Sequence, residues 1–274
     1  MQANDTTTAT ADNFLSTIRA SENTKRCYGN TLRLFAREYG HTPDSSEEAQ
    51  AFIAAREAKG LKPATVGLDI AAMQRFLKWR GLPIHRLERL PVLLQAPRYL
   101  DKAQIKALLD GCETPLSRCV VALLYDSGAR IGEILAIRMN DIDWRGFLTI
   151  TRKGGRKDAA NVSSWGMKYL REWVNQATGS SPLLFGRHKY NGIYRLLKRA
   201  AARAGIEEFH PHMLRHSRAV HLRQEGLSWE EIGYHLGHVN ASTTINVYAR
   251  TSAFDRQRTI PTVNLDTEVA ALNG

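Results

Sequence analysis

The chain has 274 residues, 43% of them hydrophobic and 24% charged, with a formal net charge of +11. That length supports one large or two modest domains, each with its own core, and the composition is that of an ordinary globular protein. The charge points to a polyanionic partner, most simply nucleic acid. Three scattered cysteines, Cys27, Cys112 and Cys119, exclude a disulfide framework or a CxxC site and fit a reducing cytosol. No apolar run reaches membrane-spanning length, and the polar N-terminus lacks a signal pattern, so a cytoplasmic protein with no membrane partner is expected.

Residues 1–11, rich in Thr and Ala, read as a disordered lead. Helical periodicity begins at Asp12. Ser21 opens a longer helix with Tyr28, Leu32, Phe35, Ala36 and Tyr39 on one face, stopped by Gly40. Ser45 or Ser46 opens a third, carrying Ala49, Phe52, Ile53 and Arg56 and ending at Gly60. Pro63 suits the first turn of a fourth, whose stripe is Val66, Ile70, Met73, Phe76 and Leu77, closed by Gly81. Lys25, Arg26, Arg33, Arg37, Arg75 and Lys78 lie on the outward faces. The stretch 82–98 holds Pro83, Pro91 and Pro97 and is the best boundary between a helical unit, 12–81, and a larger unit, 99–274.

In the second unit Asp101 is an N-cap candidate, with Ile105, Leu108 and Leu109 facing inward. Residues 116–126 are nearly all apolar and predict a central buried helix ending at Gly128. Arg130 follows at once, with Glu133 one helical turn on as its candidate partner. An arginine bridging structure through a carboxylate is the plain alternative to a functional role there. The segments 147–151 and 159–163 are strand-like and flank the turn 153–157, which gives a β-hairpin with a basic tip. Lys153 and Lys157 both sit on that turn. An amphipathic helix over 164–177, a buried piece over 182–185 and a basic helix over 190–204 complete the approach to the last segment.

Residues 210–250 carry the densest set of phosphate-handling groups. His212 and Arg215, three apart, share one helix face. That helix stops near Gly226. Ser228 opens a second helix with Glu231 three residues on, a capping box, and Gly237 ends it just before His238. A third short helix, from about Ser242, carries Tyr248. A guanidinium binds two phosphate oxygens at once, an imidazole exchanges protons near neutral pH, and a tyrosine beside both can attack a phosphodiester. The histidines form no HExxH and no carboxylate or cysteine completes a metal set, so no metal or other cofactor is expected. His210, His216 and His221 read as ordinary helix residues.

The pieces His212-Met-Leu-Arg215, Leu236-Gly237-His238 and Tyr248 together resemble the second box of the tyrosine recombinase (phage integrase) family, of the Xer-like kind. SGARIGEILAI, with Arg130 and Glu133, resembles its first box. The resemblance covers about 99–248 and extends more loosely to the N-terminal unit. It implies a mainly α fold with a small β-sheet or hairpin: a helical, SAM-like core-binding domain and a mixed α/β catalytic domain, gripping DNA as a clamp. It implies a metal- and ATP-independent site-specific recombinase with Arg130, Lys153, His212, Arg215, His238 and Tyr248 as catalytic residues. Lys157 is the second choice for the hairpin lysine. Double-stranded DNA with specific core sites is the implied partner, with a homo-tetramer, or a related recombinase, assembled on it. Accessory DNA-bending proteins and a nucleoid location belong to the same expectation, as does docking of a last helix, after Pro261, on a neighbouring subunit. With no arm-binding segment ahead of the helical unit, an arm-independent system is expected. A type IB topoisomerase uses nearly the same residues, but the separate helical unit and the hairpin argue against it. A non-catalytic DNA binder would need neither Tyr248 nor His238.

Overall fold

The computed structural model describes residues 2–85, 87–88, 97–152, 154–176, 181–186 and 188–237. It divides into two compact units, Met1–Leu94 and Gln95–Gly274.

The first unit is built from α1 (Gln2–Thr17), α2 (Glu22–Tyr39), α3 (Ser46–Ala58) and α4 (Pro63–Trp79). Local chemistry sets most of their ends. Ser21 and Ser45 accept from the backbone N–H three residues on, and Gly40 closes α2 in the left-handed region. The apolar stripes converge on Phe14, Leu32, Phe35, Phe52, Ile53, Met73, Phe76 and Leu77, all fully buried. Phe14 meets Phe76 edge to face at 5.3 Å. One acidic residue lies within this core. Asp69 accepts from Thr31 Oγ1 at 2.6 Å and from Arg56 Nε at 2.9 Å, which satisfies a carboxylate that would otherwise be costly to bury.

Helix α1 runs from Gln2, through the segment read from the sequence as a lead. The buried residues Ala11, Phe14 and Ile18 anchor its C-terminal half. Once a turn is fixed there, each added residue completes a hydrogen bond without a new nucleation cost, so helix extends into the Thr/Ala segment.

The second unit surrounds α6 (Pro115–Ser127), which is buried along most of its length. Against it pack α5 (Lys102–Asp110), α7 (Ile131–Leu135), α8 (Ser164–Gln176), α9 (Tyr190–Arg203) and α10 (His212–Gln224), and α10 in turn carries α11 (Trp229–Leu236). An antiparallel sheet of β1 (Ile142–Asp143), β2 (Phe147–Thr151) and β3 (Lys157–Asn161) lies beside them in the order β1-β2-β3. Leu148 pairs with Ala160 and Ile150 with Asp158. The fold is therefore mostly helical with a small sheet, as expected.

Two details of the sheet differ from the sequence reading. The short strand β1 was not anticipated, and β3 begins at Lys157, two residues before the expected start at 159. Gly154 and Gly155, at φ +86° and +82°, turn the chain back early. Ser163 then leaves the sheet because its N–H and hydroxyl both donate to Asp126 Oδ2 at 2.6 Å. The short helix expected from Ser242 and the last helix expected after Pro261 lie outside the described residues. No described helix is long and apolar enough to cross a membrane.

Candidate active site

The site is assembled where α6 ends. Gly128, at φ +61°, stops α6 and swings the chain so that Arg130 becomes the N-cap of α7. Glu133 sits one turn in. Its Oε2 accepts the Arg130 backbone N–H and its Oε1 accepts from Arg130 Nη1, both at 2.9 Å. The Arg130 side chain is 43% exposed while that of Glu133 is 9% exposed, so the carboxylate is the buried anchor and the guanidinium its outward-facing partner. The backbone and side-chain hydrogen bonds from Arg130 and the charges of Arg152 and Arg130 hold the Glu133 carboxyl below its ordinary range, although burial, the largest single influence, pushes the other way.

Arg215 comes from α10 and is buried, 3% exposed. Its Nη1 donates to two backbone carbonyls, Gly128 and Leu236, the latter at 3.0 Å. One carbonyl lies two residues before Arg130. The other lies two residues before His238. A single guanidinium therefore ties together the segments that carry the two sequence boxes.

His212 opens α10, where the residue as a whole is exposed but the ring is partly shielded by its surroundings. Loss of hydration lowers its pKa from the ordinary 6.5, and the charges of Arg215 and Arg130 lower it further. The shift favours the neutral imidazole, the form that accepts a proton. A cavity of about 580 Å³ opens beside it, lined by Arg130, Gly132, Glu133, Tyr190, His210 and His212 among others.

Of the six residues expected to be catalytic, the described structure contains Arg130, His212 and Arg215, and it brings them to one place. Lys153, His238 and Tyr248 lie outside the described residues. Lys157 is exposed on β3, paired in register with Thr151. The three histidines read as ordinary helix residues have no common metal site: among the described residues no group of His, Cys, Asp or Glu could hold a metal ion. His221 is buried and hydrogen-bonded to the Tyr125 hydroxyl at 2.8 Å.

Sequence reasoning missed several groups around this centre. Arg152 is buried and donates from Nη1 to Glu133 Oε2 at 2.9 Å. Its signal was present: Leu148 and Ile150 face inward on β2, and the same period of two puts Arg152 inward as well. Asp126, 2% exposed, grips Ser163 and faces Arg218, whose Nη2 lies 3.5 Å from Oδ1. His235 Nε2 lies 3.1 Å from the Asp126 carbonyl oxygen, and burial, aided by Arg218, lowers this imidazole to about 4. No local pattern marks these last two, because their partners come from remote segments.

The chain is similar to known proteins in both sequence and fold. The Phage integrase family pattern matches residues 98–254, more than half of the chain. The chain is 29% identical over 266 residues to tyrosine recombinase XerA of Pyrococcus furiosus, covering 92% of each. It is 30% identical over 216 residues to tyrosine recombinase XerC of Xylella fastidiosa strain 9a5c, covering 72% of this chain and 74% of the relative. Its fold is similar to that of the XerH site-specific recombinase bound to difH substrate, with a TM-score of 0.68 at 20% identity over 91% of this chain and 79% of the other. It is also similar to a lambda integrase fragment crystallised as a dimer on a COC′ core site, with a TM-score of 0.70 at 16% identity over 86% and 96%. The matched region spans both sequence boxes, and the chain belongs to the phage integrase family.

Proposed function

We propose that the chain cuts and rejoins double-stranded DNA at a specific site through a 3′-phosphotyrosyl intermediate. Arg130 and Arg215 would bind the nonbridging oxygens of the scissile phosphate and stabilise the charge that builds up in the transition state. His238 would add a hydrogen bond to the same group. His212 would take the proton of the Tyr248 hydroxyl as its oxygen attacks phosphorus. The bond from phosphorus to the 5′ oxygen breaks, and Lys153 would protonate that oxygen as it leaves. The energy of the broken ester is kept in the phosphotyrosine, so attack by a new 5′ hydroxyl rejoins the strand with no nucleotide cofactor. In this scheme the cationic side chains carry the charge stabilisation that a metal ion supplies elsewhere.

The observation that carries the reading is the double anchor of Arg215. It fixes the HxxR arginine against the turn that presents Arg130 and against the end of the helix that leads to His238. The neutral state favoured for His212 supports its role as base.

On the same reading the helical first unit contacts the duplex through outward cations such as Arg26, Arg33, Arg37, Arg75 and Lys78, all exposed. Assembly into dimers and tetramers on DNA belongs to the same reading and is supported by proteins of similar fold, a lambda integrase dimer bound to a core site and a lambda integrase tetramer bound to a Holliday junction. The protein would work where the chromosome is.

The test is covalent capture. Nicked duplexes carrying candidate sites from the gene's own neighbourhood are incubated with wild type and with Tyr248→Phe in EDTA and run on denaturing gels. A protein–DNA band in wild type only is expected. Tight sequence-specific binding with no band on any duplex would refute the chemistry.

A further inference from the structure

Arg130 has one side-chain partner among the described residues, the Glu133 carboxylate, and otherwise extends into solvent. Its aim is therefore only as fixed as that carboxylate. Glu133 in turn uses Oε1 on the Arg130 guanidinium and Oε2 on both the Arg130 backbone and Arg152. Two guanidinium groups thus share one buried acid.

The second of them is held unusually firmly. The Arg152 side chain is 4% exposed, and its Nε lies 3.5 Å from Asp158 Oδ2 on β3. Its backbone is clamped across the hairpin by a 2.7 Å hydrogen bond to the Arg156 carbonyl. Its guanidinium lies against Gly237, where an added Cβ would fall 2.5 Å from Cζ. Nε and Nη2 are buried and have no hydrogen-bond partner among the described residues. Apolar side chains in place of a buried ion pair are often neutral or stabilising, so stability alone does not account for burying Arg152 here, and the group it orients is the better explanation.

We propose that Arg152 is a positioning residue for strand cleavage: it holds the Glu133 carboxylate in the one orientation that aims Arg130 at the scissile phosphate. It acts from the hairpin, through α7, on a side chain it does not touch. This rests on the reading that Arg130 binds that phosphate.

The test uses the full-length protein and the nicked duplex identified by covalent capture, made with either a normal phosphodiester or a neutral methylphosphonate at the scissile position. Single-turnover formation of the covalent complex is followed for wild type, Arg152→Gln, Arg152→Lys, Glu133→Gln and the Arg152→Gln/Glu133→Gln double variant. DNA affinity and the thermal midpoint are measured in parallel. On the phosphodiester, Arg152→Gln is expected to slow cleavage by about 10- to 100-fold at nearly unchanged DNA affinity, the scale of a misplaced catalytic group. Arg152→Lys, which keeps a donor for Glu133, recovers part of the rate. The double variant is no slower than Glu133→Gln alone, because both changes break the same chain. On the methylphosphonate, where there is less charge for Arg130 to meet, the gap between wild type and Arg152→Gln narrows. Cleavage by Arg152→Gln at the wild-type rate overturns the proposal. So do multiplicative losses in the double variant, or an equal gap on the two substrates. If Arg152→Gln does not fold, Arg152→Lys decides through the same substrate comparison. No covalent complex with wild-type protein would instead overturn the parent reading, and this inference with it.

Discussion

Arg215, the fourth residue of α10, donates from Nη1 to the carbonyl of Leu236, the last residue of α11, at 3.0 Å. The same nitrogen also reaches the Gly128 carbonyl. An arginine read from the sequence as a phosphate ligand is therefore also a structural tie, and its loss should be felt in two measurements.

Arg215→Ala removes charge-assisted hydrogen bonds from two buried carbonyls. It should cost about 1.5–3 kcal/mol of stability, read as a fall in denaturation midpoint. It should also slow covalent-complex formation by about 10²- to 10³-fold, the usual loss for one donor to a developing oxyanion. Arg215→Lys, with a single point of charge, should regain less activity than stability. Recovery of full cleavage by lysine would contradict a forked contact with the phosphate.

The lowered pKa of His212 has a kinetic consequence. The folded-state value lies below 6.5, so the ring is neutral and able to accept a proton at and above neutral pH. The single-turnover rate should be flat near neutrality and fall on the acid side, with its midpoint below the ordinary histidine value. His212→Gln should lower the plateau and abolish that acid limb. An unchanged limb in the variant would assign the base to another group.

His235 makes the corresponding statement about stability. Its folded-state pKa, about 4, lies below the ordinary 6.5, so as pH falls the unfolded chain takes up the proton first. Above pH 6.5 both states are neutral and the group contributes nothing to the pH dependence. Between 6.5 and 4 it increasingly favours unfolding, and below 4 the penalty is complete at roughly 3 kcal/mol. The denaturation midpoint of wild type should therefore drop more steeply across this window than that of His235→Gln. Parallel curves would mean that the imidazole protonates in place.

Gly237 and Gly40 both cap helices in the left-handed region, at φ +70° and +81°. A Cβ at Gly40 meets nothing within 4 Å, whereas one at Gly237 collides with the Arg152 guanidinium. Gly40→Ala should cost only the backbone term, about 1–2 kcal/mol. Gly237→Ala should cost more than this and should also abolish cleavage, since the buried arginine must move. Equal midpoints for the two variants would show that the contact at Gly237 is soft.

Helix ends and the family boxes were legible in the sequence because their determinants are local. Ser21, Ser45, Asp101 and Ser228 accept N–H groups three residues away, and Gly40, Gly128 and Gly237 supply the left-handed turn that ends a helix. Spacing within a few residues likewise put His212 with Arg215 and Arg130 with Glu133. Tertiary structure alone decided the rest. The helical start of α1 depends on a core assembled from four helices, and the early start of β3 on a turn closed by two glycines and an exit held by Asp126. Arg152 became a buried partner of Glu133, and Arg215 a bridge from Gly128 to Leu236, through contacts 19, 87 and 21 positions apart in the chain. A buried cation must find its oxygen atoms wherever packing brings them, and no local pattern of residues encodes that distance.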